Sequence, residues 1–214
     1  RINRSKALWS KKLKTAKLII FTLGTSFVYY RIATGSLLAN NHKLPAAELT
    51  RIVLNVNEIV SDFHVLIDEI SAIYSDIQFV FTVSPIRHLK DGFVENQLSK
   101  SILIQACYEI SSKKSCSYFP SYEIMLDDLR DYRFYESDLI HPNQTAMDYI
   151  WDLFIKTYYS EDAHRYMQKV DQWRRLIGHR ILHPDTDNAT SHLPKASALF
   201  DSIKKEYPKS MLNE

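Results

Sequence analysis

Leu18-Ile-Ile-Phe-Thr-Leu23 is an almost unbroken apolar run, cut off by Gly24; Ile77-Gln-Phe-Val-Phe-Thr-Val83 repeats the arrangement and stops at Ser84-Pro85. A strand with one wet face alternates apolar and polar side chains, and neither run does. Each therefore reads as a strand buried on both faces, as in a parallel sheet sandwiched by helices. Helix-period stretches stand around them. Residues 5–16 read as a short helix. Pro45 suits a first helical turn, and Leu49, Ile52, Val53, Val56, Ile59, Val60, Phe63, Ile67 and Ile70 fall on one stripe, so the spacing predicts a helix from Pro45 to about Tyr74. Phe27 to Ile32 and Leu37 to Ala39 flank Gly35 as a small hairpin.

The second half continues in the same way. Residues 95–112 read as helix, 117–119 as a short strand and 121–129 as another short helix. Pro142 opens a helix whose core face is Ala146, Tyr149, Ile150, Leu153 and Phe154. A further helix over about 161–177 ends at Gly178, a good C-terminal stop. Beyond it we expect a loosely packed tail with one short helix near 195–206. Buried strands alternating with amphipathic helices define an α/β layered domain with a parallel sheet. We assign it to residues 1–160, with 161–214 as a helical extension and tail.

Sites in parallel sheets form at the carboxyl ends of the strands. That rule selects three segments: Gly24-Thr25-Ser26, Ser84-Pro-Ile-Arg87-His88, and the loop that ends Asp138-Leu-Ile-His141-Pro142. A neutral imidazole takes a proton from a hydroxyl and returns it to a leaving group, provided an acceptor on its other nitrogen fixes the tautomer. Asp138, three residues before His141, is placed to be that acceptor; the plainer reading makes it a cap for the following helix. Gly24 lets a carbonyl approach backbone N–H donors, or simply serves a tight turn. Ser26 is a candidate donor or nucleophile, although a Gly-x-Ser-x-Gly elbow would need glycine where Val28 stands. Asn41 and His42 either line a site or start the helix at Pro45. Arg87 and His88 either hold a carboxylate or sugar hydroxyls, or close the floor of the site. The Arg130–Tyr135 stretch, rich in aromatics and arginine, stacks on a sugar ring or packs its own loop.

Other classes are poorly served. Four glycines, far apart, supply no phosphate-cradling loop. Cys107 and Cys116 fit no metal spacing and read as two free, partly buried thiols. No metal or cofactor is implied. A net charge of +2 gives no reason to expect nucleic acid, and the basic run from Arg1 to Lys17 reads as a solvated helix face. No apolar run approaches the ~20 residues of a membrane span. Nothing in the chain fixes a compartment or an oligomeric state.

Several segments, taken in order, resemble the GSCFA domain family, a branch of the SGNH (GDSL-like) hydrolases. They are Phe21-Thr-Leu-Gly-Thr25, Asn41-His-Lys-Leu-Pro45, Thr82-Val-Ser-Pro-Ile-Arg-His88, Lys90-Asp-Gly92, Glu95-Asn96, Ser99-Lys100, Tyr118-Phe-Pro-Ser-Tyr-Glu-Ile124, Leu129-Arg-Asp-Tyr-Arg-Phe-Tyr135 and Asp138-Leu-Ile-His-Pro142. The resemblance covers about residues 10–160. It implies a three-layer α/β/α fold of SGNH-hydrolase type (flavodoxin-like) and ester hydrolysis or acyl transfer by a serine. His141 and Asp138 match the superfamily's base and orienting acid. Gly24 falls where a Gly-x-Asn block would sit, with Ser26 in place of its asparagine; Ser26, Thr25 or Asn41 then serves as oxyanion or substrate donor. The naming motif, Gly-Ser-Cys-Phe-Ala, does not occur in these residues, so the expectation is a fold without its first strand and a serine supplied upstream. The expected substrate is an acyl ester, of a carbohydrate by family analogy. The alternative is a binding module on the same fold, holding a glycan or a protein without turnover.

Overall fold

The structure, a computed structural model, describes residues 9–38, 44–178 and 187–208. It divides into two compact units, Arg1–Ile150 and Trp151–Glu214.

The centre of the first unit is a parallel three-stranded sheet of β1 (Leu18–Leu23), β5 (Gln78–Val83) and β6 (Cys116–Phe119), in the order β1-β5-β6. β1 runs in register with β5 from Leu18 opposite Gln78 to Leu23 opposite Val83. Residues 79–83 of the central strand are all buried, as its apolar run demands. Between β1 and β5 stands a second, antiparallel sheet in the order β3-β2-β4, made of β2 (Phe27–Arg31), β3 (Ser36–Leu38) and β4 (Leu49–Val53). The β2–β3 turn needs Gly35: its φ is +61° while its N–H donates to Arg31 O at 2.8 Å, a backbone shape that side chains resist.

α1 (Val56–Ile73) and α2 (Gly92–Ile110) touch each other and cover the face of the sheet that carries Phe21, Phe79, Phe81 and Val83. Ile59 and Ile67 of α1, with Leu103, Ala106, Cys107 and Ile110 of α2, complete that core. Phe63 meets Phe81 edge-on at 5.0 Å between ring centres, and Phe21 at 5.3 Å. Such edge contacts add about 0.5–1.5 kcal/mol each to the burial. On the opposite face of β1, Ile20 is 45% exposed, so burial there is incomplete although its neighbour Val80 is fully covered.

The helix expected from Pro45 does not form as one element. A 3-10 turn at Ala46–Glu48 leads into β4, and α1 starts only after Asn55. Asn55 accepts from Glu58 N–H at 3.0 Å while Glu58 reaches back to Asn55 N–H at 2.8 Å, a complete capping box. Upstream of that box Leu49–Val53 pair with β2, from Leu49 opposite Arg31 to Val53 opposite Phe27. A short helix at Ser121–Glu123 continues as a π-helical turn, Ile124–Leu129. Residues 9–13 are helical within the expected 5–16; 5–8 lie outside the described residues.

α3 (Gln144–Tyr158) begins after Asn143 and crosses the boundary between the units. The second unit holds α4 (Glu161–Gly178) and α5 (Asp187–Glu206), which pack on each other with Trp173 stacked on Phe200 at 5.0 Å. α5 is longer than the expected 195–206 and contains Pro194 inside it. No described helix is long and apolar enough to cross a membrane.

Candidate active site

The loop before α3 is shaped by its own hydrogen bonds. Glu136 N–H donates to His141 O at 2.8 Å and Leu139 N–H to Glu136 O at 2.9 Å, folding Glu136–His141 into a tight turn. Leu139 takes φ +58° to close it, a conformation rare for a residue with a side chain and a common feature of functional turns. The turn brings the Asp138 carboxylate onto His141. Oδ2 lies 2.6 Å from Nδ1, and Oδ1 accepts the backbone N–H of Ile140 (2.9 Å) and of His141 (3.0 Å). Asp138 does not cap α3: Asn143 does, its Oδ1 accepting from Ala146 N–H at 3.2 Å while its Nδ2 donates to Arg133 O at 2.7 Å.

These bonds hold the Asp138 carboxyl down at about 2, first through the His141 backbone N–H, then through its ring and the Ile140 N–H. A carboxylate that stays ionised at neutral pH can only accept. Nδ1 of neutral His141 therefore carries the proton, and Nε2 is left as the basic nitrogen.

His141 lines a cleft of about 790 Å³ at the carboxyl end of the parallel sheet. Thr25 enters it from the end of β1, Arg87 and His88 from the end of β5, and Phe27, Tyr29 and Arg51 from the antiparallel sheet. Thus Thr25, Arg87, His88 and His141, chosen from the sequence, line the same cleft. Gly24 lies just behind it: a Cβ there would come within 3.4 Å of His88 Nε2. Burial, followed by the charge of Lys100, lowers the His88 pKa, so its ring is neutral at pH 7. Ser26 does not line the cleft. It is 1% exposed, its N–H donates to Ser99 Oγ at 2.7 Å and its hydroxyl to the same oxygen at 3.1 Å. Asn41 and His42 lie outside the described residues.

What holds these loops is the first half of α2. Asn96 Oδ1 accepts from His88 N–H at 2.9 Å, Ser99 takes Ser26 and Thr25, and Lys100 Nζ donates at 2.7 Å to both Gly24 O and Ser84 O. All three side chains are buried. They stand at i, i+3 and i+4, the spacing of one helix face. The signal was present: polar residues continuing the stripe of Leu103, Ala106, Cys107 and Ile110. Burial lowers the Lys100 pKa to about 8. The cleft wall from β2 and β4 had no such signal, because it depends on how the hairpin folds back.

Both cysteines are free and buried, and burial pushes the Cys107 thiol up to about 12, far from a nucleophilic thiolate. Among the described residues no three His, Cys, Asp or Glu side chains gather as a metal site. Residues 1–154 match the model of the GSCFA family, and the chain belongs to that family. No curated protein and no solved structure matches it.

Proposed function

We propose that this cleft is the catalytic site of a serine esterase or acyltransferase acting on acyl esters, carbohydrate esters among them. The observation that carries the reading is the Asp138–His141 pair, which fixes the Nδ1–H tautomer at the mouth of a cleft. In an SGNH-like α/β/α arrangement the nucleophile is the serine of a Gly-Ser-Cys-Phe-Ala segment, which these residues do not contain. Among the described residues no serine or cysteine lines the cleft, which supports a nucleophile brought by another segment. β1, paired on one side only among the described residues, offers an edge for a strand carrying it.

The serine Oγ attacks the ester carbonyl carbon as its proton passes to His141 Nε2. The carbonyl electrons move onto oxygen, and backbone N–H groups at Gly24–Thr25, or Asn41, stabilise that oxyanion. Ser26 is a support in this scheme, since its N–H and its hydroxyl both turn to Ser99. The tetrahedral species collapses, the carbon–oxygen bond to the alcohol breaks, and His141 returns the proton to the leaving oxygen. Water or another hydroxyl then repeats the sequence on the acyl-enzyme. Asp138 keeps the ring oriented and steadies the imidazolium.

Hydrolysis of p-nitrophenyl acetate tests this, using a form of the protein that carries the Gly-Ser-Cys-Phe-Ala segment. Turnover that falls about 10³-fold or more in His141→Ala supports it. Turnover indifferent to His141 overturns it, and no turnover with retained glycan binding would favour the binding module.

A further inference from the structure

We infer that the substrate of this cleft carries an anionic group, a carboxylate or a phosphate, and that Arg87 is the residue that receives it. This rests on the cleft being the substrate site proposed above and adds the class of substrate.

The charges lining the cleft are unbalanced. Arg51, Arg87 and Lys90 face it, against one carboxylate, Asp91. Asp91 is already committed to Arg51 at 2.5 Å, and its side chain is only 5% exposed against 34% for the arginine, so an incoming molecule meets the guanidinium. Arg51 also lies over Phe27, 3.7 Å from the ring centre, which fixes it in the wall. Among the described residues Arg87 forms no ion pair or hydrogen bond; it lies over the Tyr135 ring, 5.6 Å from the ring centre to the guanidinium carbon. It is half-buried just past β5 and also borders a smaller hollow of about 180 Å³ shared with Arg130, Asp131, Tyr132 and Tyr135, where the Asp131 carboxylate pairs with Arg133 at 3.8 Å and accepts its backbone N–H at 2.9 Å. Asp138 stands behind the lining, its carboxylate taken up by the His141 ring and by the backbone N–H groups of Ile140 and His141.

A partly desolvated guanidinium without a carboxylate is expensive unless something anionic completes it. Its planar fork matches carboxylate and phosphate oxygens two at a time. Composition does not account for the excess, since the whole chain is nearly neutral at +2. His88, held neutral by its burial, adds hydrogen bonding and no charge.

The test reads binding and not turnover, by NMR titration of the full chain. The probes are monomethyl succinate, its neutral counterpart dimethyl succinate, and methyl phosphate. Expected is binding of an anionic probe about tenfold or more tighter than the neutral diester, with shifts at Thr25, Arg87 and His141. Arg87→Ala should bring that probe to the level of the diester, and Arg87→Lys, which keeps charge without the fork, should fall between. Lys114→Ala, the same loss of charge just ahead of β6 at the far end of the sheet, should change nothing. Preference for methyl phosphate assigns a phosphate and preference for monomethyl succinate a carboxylate. Equal binding of charged and neutral probes, or a preference that survives in Arg87→Ala, overturns the inference. A cleft that prefers anions yet never hydrolyses an ester leaves it standing while the hydrolase reading fails.

Discussion

Asp138 grips His141 at two points, its Oδ2 2.6 Å from the ring Nδ1 and its Oδ1 3.0 Å from the backbone nitrogen of the same residue. The imidazole and the chain that carries it are thus oriented by one carboxylate. The arrangement is local, a turn of four residues, and needs nothing from the rest of the fold except its position at the cleft.

That double grip sets a pH dependence. The Asp138 carboxyl is held at about 2 in the folded chain, below its ordinary 3.8. A depressed acid contributes stability that is fully present above the unfolded value and is lost as pH falls through the folded one, here between about 4 and about 2. Carboxyl-detected NMR should give an Asp138 midpoint near 2. In His141→Ala the midpoint should rise only part of the way, because the backbone N–H bonds, the largest influence, remain. A full return to the ordinary value would contradict that ordering.

Lys100 should shift stability in the same direction at the other end of the pH scale. Its folded pKa of about 8 lies below the usual 10.5, so between those values the unfolded chain holds the proton that the folded chain has released. Stability from this group therefore rises with pH across that window, which denaturant melts from pH 8 to 10.5 will register as a difference from Lys100→Met. At pH 7 the same variant leaves Gly24 O and Ser84 O without their donor. The carbonyls' loss is about 1–3 kcal/mol, offset in part by relief of a buried charge.

Ser99→Ala removes the acceptor for Ser26 N–H and the hydroxyl partner of Thr25. Unpaired groups in a buried setting cost about 1–3 kcal/mol, so a chemical denaturation midpoint should fall by a corresponding amount. Catalysis, read in a serine-bearing form, should weaken through displacement of the Thr25 backbone. Unchanged stability would mean that Ser26 finds another partner.

The Arg51–Asp91 pair should be asymmetric. Arg51→Met strands a carboxylate that is 5% exposed, whereas Asp91→Asn leaves a guanidinium that is 34% exposed and can rehydrate. The first should cost about 2–4 kcal/mol and the second about 1 kcal/mol or less. Equal losses in paired thermal melts would show that the carboxylate regains water once the arginine is gone.

Some of this was written plainly in the sequence. β1 and β5 were readable because an apolar run closed by Gly24 or by Pro85 has few other uses. β4 was not, because Leu49, Ile52 and Val53 satisfy a helical stripe continuous with Val56 as well as they satisfy a strand; the boundary lay in Asn55 and Glu58, a capping box embedded in the pattern. Asp138 and His141 could be paired because the spacing is local. Thr25, Arg87 and His88 could be grouped from their places after buried strands. Phe27, Tyr29 and Arg51 could not, because pairing across β2 and β4 puts them on the cleft. Ser26 stood next to the site in sequence, yet alternation along the chain turned it inward to Ser99.

The most direct test of the central claim is fluorophosphonate labelling followed by peptide mass spectrometry, on a form of the protein extended to carry a Gly-Ser-Cys-Phe-Ala segment. Label on the serine of that segment, lost in His141→Ala and weakened in Asp138→Asn, is the expected result. Label on Ser26, or label on any serine that persists without His141, would contradict the assignment of His141 as the base.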